Sequence, residues 1–424
     1  MMRRLLYSTL VITACSSPAA TPPADMAVAI VNDLAVPDLA PSCTVMLAPA
    51  ASADDTHTLI QTAIANATSG AVLCFAGGTY PLHAEVDVAV DGLELRGLAG
   101  ATAIFDFNGQ TTGANGINVT ANQFKMTNLT VKNTAGDAVR ITMAKGVTLT
   151  NVTVTWDRGA NTNNGAYGLY PVQCSHVLID HCSVSYAADA GIYVGQSNTI
   201  LVRDSEAFGN VAGIEMENST DSEITGCNAH DNTAGILAFN LPGLAVGDGK
   251  RANLHGNKVT NNNGMNFANP AGIVSMVPSG TGMLVMASDN NEVHDNDVTG
   301  NQSLGIGVVS YLILMKPYTD MTYDPYPESN WIHGNRLSGN GSMPHDLAAG
   351  IAALAGTMVI PPLVWDGFVD AKKNNMDGHL TNCFGDNGSA GFIDLGLDSN
   401  FTPHVSMDVT PFNCMRTPLP SIMP

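Results

Sequence analysis

Between Gly116 and Val308 one short hydrophobic pattern recurs: Gly116-Ile117-Asn118-Val119, Gly168-Leu169-Tyr170-Pro171, Gly191-Ile192-Tyr193-Val194, Gly213-Ile214-Glu215-Met216, Gly235-Ile236-Leu237-Ala238, Gly272-Ile273-Val274-Ser275 and Gly305-Ile306-Gly307-Val308. Ala138-Val139-Arg140-Ile141 is a degenerate member. Apolar residues at the second and fourth places alternate with variable ones, which is the period of a strand with one buried face. Gly191, Gly213 and Gly235 are spaced by 22 residues each time. A second series runs Cys182, Ser205, Cys227, Asn257, Asn296 and Asn335, and five residues after all but the first stands an asparagine: Asn210, Asn232, Asn262, Asn301 and Asn340. Asparagine tolerates the left-handed backbone of a sharp corner, so these five are predicted to turn successive coils. Strands this short bury nothing alone and must stack. The prediction is an all-β, right-handed parallel β-helix with coils of about 22 residues. No Leu-x-x-Leu-x-Leu frame occurs, which excludes a leucine-rich repeat.

The flanks lack this pattern. Arg3 and Arg4 precede an apolar run from Leu5 to Ala14, too short to span a bilayer and shaped like a signal peptide. Residues 16–53 are rich in Ala and Pro and read as a tether. Asp54 is placed to cap a short helix with Leu59, Ala63 and Ile64 on its apolar face. Coils are expected over 54–360 and an irregular C-terminal cap over 361–424. The ending Ile12-Thr13-Ala14-Cys15 resembles a bacterial lipobox, which implies lipidation of Cys15, residues 1–15 as leader, and anchoring at the outer membrane by lipid alone. Val72–Tyr80 and Leu93–Gly97 resemble the entry of pectin-lyase-like proteins, and Gly168–Pro278 is similar to exported parallel β-helix repeat proteins and lipoproteins of bacteria. That resemblance implies architecture rather than activity.

Cysteine placement adds detail. Cys43 with Cys74, and Cys383 with Cys414, bracket the two ends, where an exported solenoid can staple its caps. Cys182 and Cys227 fall at inward positions and are expected to be buried thiols, with Cys174 nearby. The charge count is 37 acidic minus 17 basic residues, a net of -20, and no basic run occurs. Nucleic acid is excluded as a partner on that ground. Polyuronates would be repelled unless calcium or a local basic strip intervened.

Stacking the repeats aligns their outward residues. The third position reads Asn118, Arg140, Tyr170, Tyr193, Glu215, Leu237, and the fifth reads Thr120, Thr142, Val172, Gly195, Glu217, Phe239. Sugars stack on tyrosine and hydrogen-bond to carboxylates, so this face is a candidate glycan groove. Tyr170, Tyr193, Asn118, Asn218 and Phe239 are its candidate binding residues, and Glu215, Glu217, Tyr193 and Arg140 its candidate catalytic ones. A plain solvated sheet with cross-strand aromatic stacking is the competing reading. The segment Tyr311–Asn330, with Tyr318, Tyr323 and Tyr326, is a second aromatic candidate.

Glu215 and Glu217, two apart on a strand, lie about 6.6 Å apart by strand rise. They resemble the calcium-holding carboxylates of β-helix lyases acting on alginate or chondroitin, which implies calcium with Asn218 or Asn240 as further ligands. Those enzymes also use nearby Lys and Arg, for which Arg140, Arg158, Lys250 and Arg251 are the candidates here. As a glycosidase pair, the spacing falls between the retaining and inverting ranges. His255, His294 and His333 recur at 39-residue intervals and are expected to stack in an outward column. The reading is an exported, monomeric, polysaccharide-binding β-helix at the cell surface, with lyase, epimerase or glycosidase chemistry open. A noncatalytic scaffold or protein-interaction module is the alternative.

Overall fold

A computed structural model describes residues 42–424; Cys15 and most of the expected tether lie outside these residues. Three parallel sheets of eleven, eleven and ten strands form the faces of a right-handed solenoid. One coil shows the plan: Ala190–Gly195 lies in sheet 1, Asn198–Arg203 in sheet 2 and Glu206–Phe208 in sheet 3. Ile192 pairs with Ile214, which pairs with Ile236, so the repeated aliphatic positions form columns inside. These columns are solvent-free along the solenoid.

The two series of polar residues flank sheet 3, but their geometry differs from the expectation. The left-handed backbone belongs to the residue before each corner asparagine: Gly209, Asp231, Asn261, Gly300 and Gly339 have φ between 54° and 73°. The asparagines themselves point inward. The N–H and Nδ2 of Asn232 both donate to Asn262 Oδ1, and those of Asn262 to Asn301 Oδ1, at 2.9–3.2 Å. Asparagine is selected here because its amide both accepts and donates along the stack, while the neighbouring Gly, Asp or Asn absorbs the turn.

The ends also depart from the sequence reading. Val45–Leu47, inside the expected tether, is a strand paired with Leu73–Phe75, and Cys43–Cys74 is a disulfide. The first helix, α1 (Ala53–Ala65), is capped by Ser52 rather than Asp54, and it buries Ile60 and Ile64 while Leu59 is exposed. Leu363–Trp365 and Phe392–Asp394 carry sheet 1 two strands past residue 360, Asn387 extends the series that ends at Asn335, and Asn382 extends a third ladder through Asn291 and Asn330. Trp365, Phe384, Phe392 and Phe412 pack as the end plug, next to the Cys383–Cys414 disulfide. Cys174, Cys182 and Cys227 are buried free thiols.

Sheet 1 has a second core on its outer side. Phe239, Leu237, Leu284, Met286 and Val309 face away from the solenoid interior yet are buried beneath Val274, Tyr311, Tyr323 and helix α2 (Asp346–Leu354). Gly272-Ile273-Val274-Ser275 belongs to this cover, with Ile273–Met276 a 3-10 turn; the strand of that coil is Thr281–Met286. Met283 of that strand pairs with Ile236 and Ile306, so Gly282-Met283 is the repeat member of this coil and Gly272-Ile273 matches the motif only by sequence.

Candidate functional site

The outer column of sheet 1 follows the predicted order. Asp87 pairs with Asn118, Asn118 with Arg140, Arg140 with Tyr170, Tyr193 with Glu215, and Glu215 with Leu237. Polar residues thus occupy one half of the face and covered apolar residues the other, and the tyrosines and glutamates lie at the border. Asp87 is exposed and Asn118 half-buried, with Asn118 Nδ2 donating to Asp87 Oδ1 at 3.0 Å. Arg140 lies 5.4 Å over the Tyr170 ring and 3.7 Å from Asp137.

Three tyrosines form a wall at this border. Tyr167 stacks on Tyr170 with centroids 4.4 Å apart, and Tyr193 lies 4.7 and 5.0 Å from them. The sequence pattern puts Tyr193 free on the surface; instead it is buried, because its ring tilts over Gly195 and its hydroxyl donates to Glu217 Oε1 at 2.7 Å. A Cβ on residue 195 would sit 2.2 Å from Tyr193 Oη, so only glycine permits this. Tyr167 Oη donates to Asp189 Oδ2 at 3.3 Å.

Behind the wall is a carboxyl cluster. Glu215 is buried rather than outward-exposed, and its Oε2 has no hydrogen-bond partner. Burial, then the neighbouring Asp189 and Glu217, hold its carboxyl well above the ordinary range. Burial together with the Glu217 charge pushes Asp189 up to about 7. Glu217, half-buried, is raised by burial and partly relieved by the Tyr193 hydroxyl. Asp137 is pushed up to about 6 by burial, with Arg140 opposing. Desolvation lifts the Tyr170 phenol to about 12, and Tyr167 and Tyr193 higher still, so all three remain neutral donors. The cluster therefore retains protons near neutral pH, the condition for a carboxyl acting as hydrogen-bond donor or general acid.

Several candidates are not brought to this place. Phe239 is sealed in the second core. Asn218 is buried and clamps the following loop, donating to the Leu241 and Val246 carbonyls and accepting from Leu241 N–H. Asn240 Oδ1 accepts from Gly249 N–H. Tyr311, Tyr318 and Tyr323 pack edge to face with one another, so they hold the cover down rather than offering a surface. Lys250 and Arg251 lie on sheet 2, and Arg251 is paired to Asp221 at 2.6 Å.

Glu215 and Glu217 gain no third carboxylate or imidazole that could share an ion with them among the described residues. The described groups of three His, Cys, Asp or Glu side chains close enough to share an ion are Glu292–His294–His333, Asp180–His181–Asp204 and Asp289–Asp324–Glu328. Side chains two apart on a strand stand parallel instead of converging, and Tyr193 already takes Glu217 Oε1. The third group is filled by Lys373, 2.5 Å from both Asp324 and Glu328. The histidine column stacks as expected, at 4.8 and 5.1 Å with rings within 8° of parallel.

Sequence reasoning missed Asp137, Tyr167 and Asp189. Asp137 and Asp189 stand just before a Gly-Ile-type strand and Tyr167 is the first residue of one, and the signal available was Asp189 immediately preceding Ala190-Gly191.

Among known proteins, the family model described as the right handed beta helix region matches residues 115–277. None of the curated proteins matches the chain. The A-module of the mannuronan C-5 epimerase AlgE4 of Azotobacter vinelandii is similar in structure, at 12% identity over 76% of this chain and 91% of that one, with a TM-score of 0.50. DFA-IIIase from Arthrobacter chlorophenolicus A6 in complex with DFA-III matches at 13% identity over 76% and 91%, with a TM-score of 0.47. At such identities what is shared is the fold, a right-handed parallel β-helix.

Proposed function

We propose that the protein binds a polysaccharide along the outer face of sheet 1 and donates a proton to it at the tyrosine border. One observation carries this reading: Tyr167, Tyr170 and Tyr193 wall off a proton-retaining set of carboxyls at the end of the open polar half of the face. Tyr170 and Arg140 offer the stacking and hydrogen-bonding surface, and Asn118 and Asp87 continue it. Glu217 and Asp189 are the reachable carboxyls, while Glu215 sits behind them, its own carboxyl raised by burial and by their charge. Lyase or epimerase chemistry on a uronate needs cationic groups facing the sugar carboxylate. Arg140, shared between Asp137 and the Tyr170 ring, is the cation described at this border. Acid-assisted cleavage of a glycosidic bond needs one protonated carboxyl to donate to the leaving oxygen and one ionised carboxyl to activate the water that takes its place at the sugar carbon, and Glu217 with Asp189 supplies that pair.

Incubation with neutral and uronate polysaccharides, with and without calcium, tests the proposal by following new reducing ends and unsaturated-uronate absorbance together. New reducing ends without that absorbance, unchanged by calcium, are expected. Glu217→Gln should cut turnover by roughly a hundredfold or more and leave retention on the glycan intact. Calcium-dependent absorbance would replace the acid mechanism with elimination, and retention without turnover would leave a binding module. Export belongs to the same proposal: lipidation at Cys15 would tether the solenoid to the membrane, and Cys15→Ser should move it from the membrane fraction to the soluble one.

A further inference from the structure

After Cys414 the chain turns back along the outer face of sheet 2. Glu223, Asn253 and Glu292 succeed one another there in a single column, outside the inward Ile224, Leu254 and Val293. Such a column would ordinarily be solvated, yet all three residues are buried beneath the tail. Each glutamate divides its oxygens in the same way. Glu292 Oε1 takes His333 Nε2 at 3.0 Å, and its Oε2 accepts the Leu419 N–H at 2.6 Å. Glu223 Oε1 takes His255 Nε2 at 2.8 Å, and its Oε2 accepts the Ile422 N–H at 2.6 Å.

The spacings agree. The glutamates are two strands apart, about 9.6 Å, and Leu419 and Ile422 are three residues apart, about 9.3 Å in a polyproline-type backbone. The sequence enforces that backbone: Pro418, Pro420 and Pro424 fix their own φ, and each biases the residue before it toward the extended region. Arg416 anchors the entry, donating to the carbonyls of Gly378 and Thr381. Pro424 ends in a crevice with Lys145, His176 and Leu178. The tail adds no strand to the sheet; carboxylates read its N–H groups, as they would read any extended chain with donors at that interval.

We propose that this face is a peptide-binding track for an extended, proline-spaced segment, and that residues 416–424 are its ligand carried in cis, exchangeable with the same segment of a second copy. The stacked imidazoles are then supports that hold each glutamate with one oxygen free for the peptide.

The test uses the full chain with a protease site inserted between Met415 and Arg416, cut after folding, and a fluorescent 416–424 peptide. The cut protein should bind the peptide saturably after washing, and the uncut protein should not, because its track is filled. Glu223→Gln with Glu292→Gln should weaken binding roughly tenfold or more, the scale of lost charge-assisted hydrogen bonds. Should that double variant misfold, a peptide N-methylated at Leu419 and Ile422, which lacks both donors, should bind the unmutated cut protein at least as poorly. Absence of saturable binding to the cut protein, equal binding to cut and uncut protein, or undiminished binding of the methylated peptide would each overturn the proposal.

Discussion

Gly195 governs the tyrosine border although it has no side chain to contribute. Its neighbours in the column are Val172 and Glu217, and the space it leaves is where the Tyr193 ring lies on its way to the Glu217 carboxyl. In Gly195→Ala the new methyl would meet Tyr193 Oη at 2.2 Å, so the ring must swing out and its hydrogen bond must break. A loss of about 1–3 kcal/mol in unfolding free energy is expected, the scale of an overpacked buried site. Glycan retention should fall with it, which unfolding in denaturant and affinity electrophoresis would show. The residue scale is also where the sequence is most readable and most misleading. Alternation places Arg140, Tyr170, Tyr193 and Glu215 in one column correctly. It cannot tell an outward residue from an exposed one, because the cover over Phe239 comes from segments far along the chain.

At the scale of the element, the solenoid depends on its ladders as much as on its aliphatic columns. Asn262 sits in the middle of one: its Nδ2 donates to Ala229 O and Asn301 Oδ1, and its Oδ1 accepts from the N–H and Nδ2 of Asn232. Asn262→Ala strands those buried partners as well as leaving a hole, so a cost of about 3 kcal/mol or more is expected. Asn340 ends the same ladder and is half-buried, and Asn340→Ala should cost about half as much by the same denaturant measurement. The repeat spacing announces these corners, but turn propensity gives the asparagine the wrong role, because a residue that tolerates the left-handed region stands beside the one that uses it. The short end strands Val45–Leu47 and Leu363–Trp365 carry too little alternation to be seen, since pairing with a neighbour, not local pattern, makes them strands.

For the whole molecule, the acids pushed upward by burial set how stability varies with pH. Asp189, Asp289 and Asp366 are raised to about 7 and Asp137 to about 6, in each case chiefly by desolvation, and Glu215 is raised well above its ordinary value by the same cause. In the unfolded chain these groups titrate near 4. Between those values the unfolded state has released protons that the folded state keeps, so stability falls as pH rises through this window. Acids held below the ordinary range oppose this only below pH 4: Asp157 through Asn133 and Lys132, Asp221 through Arg251, and Asp180 through Arg203 and His181 despite its burial. A net charge of -20 adds self-repulsion of the same sign as the carboxyls ionise. The melting temperature should therefore be higher at pH 5 than at pH 8, by on the order of 5 °C. Glu215→Gln separates this mechanism from general charge effects: the unpartnered Oε2 loses no bond on becoming an amide, so the variant should melt higher than the parent at pH 8 and match it near pH 4. A melting temperature that stays level or climbs from pH 5 to pH 8 would mean that the carboxyl cluster at the tyrosine border is not holding its protons in the folded chain.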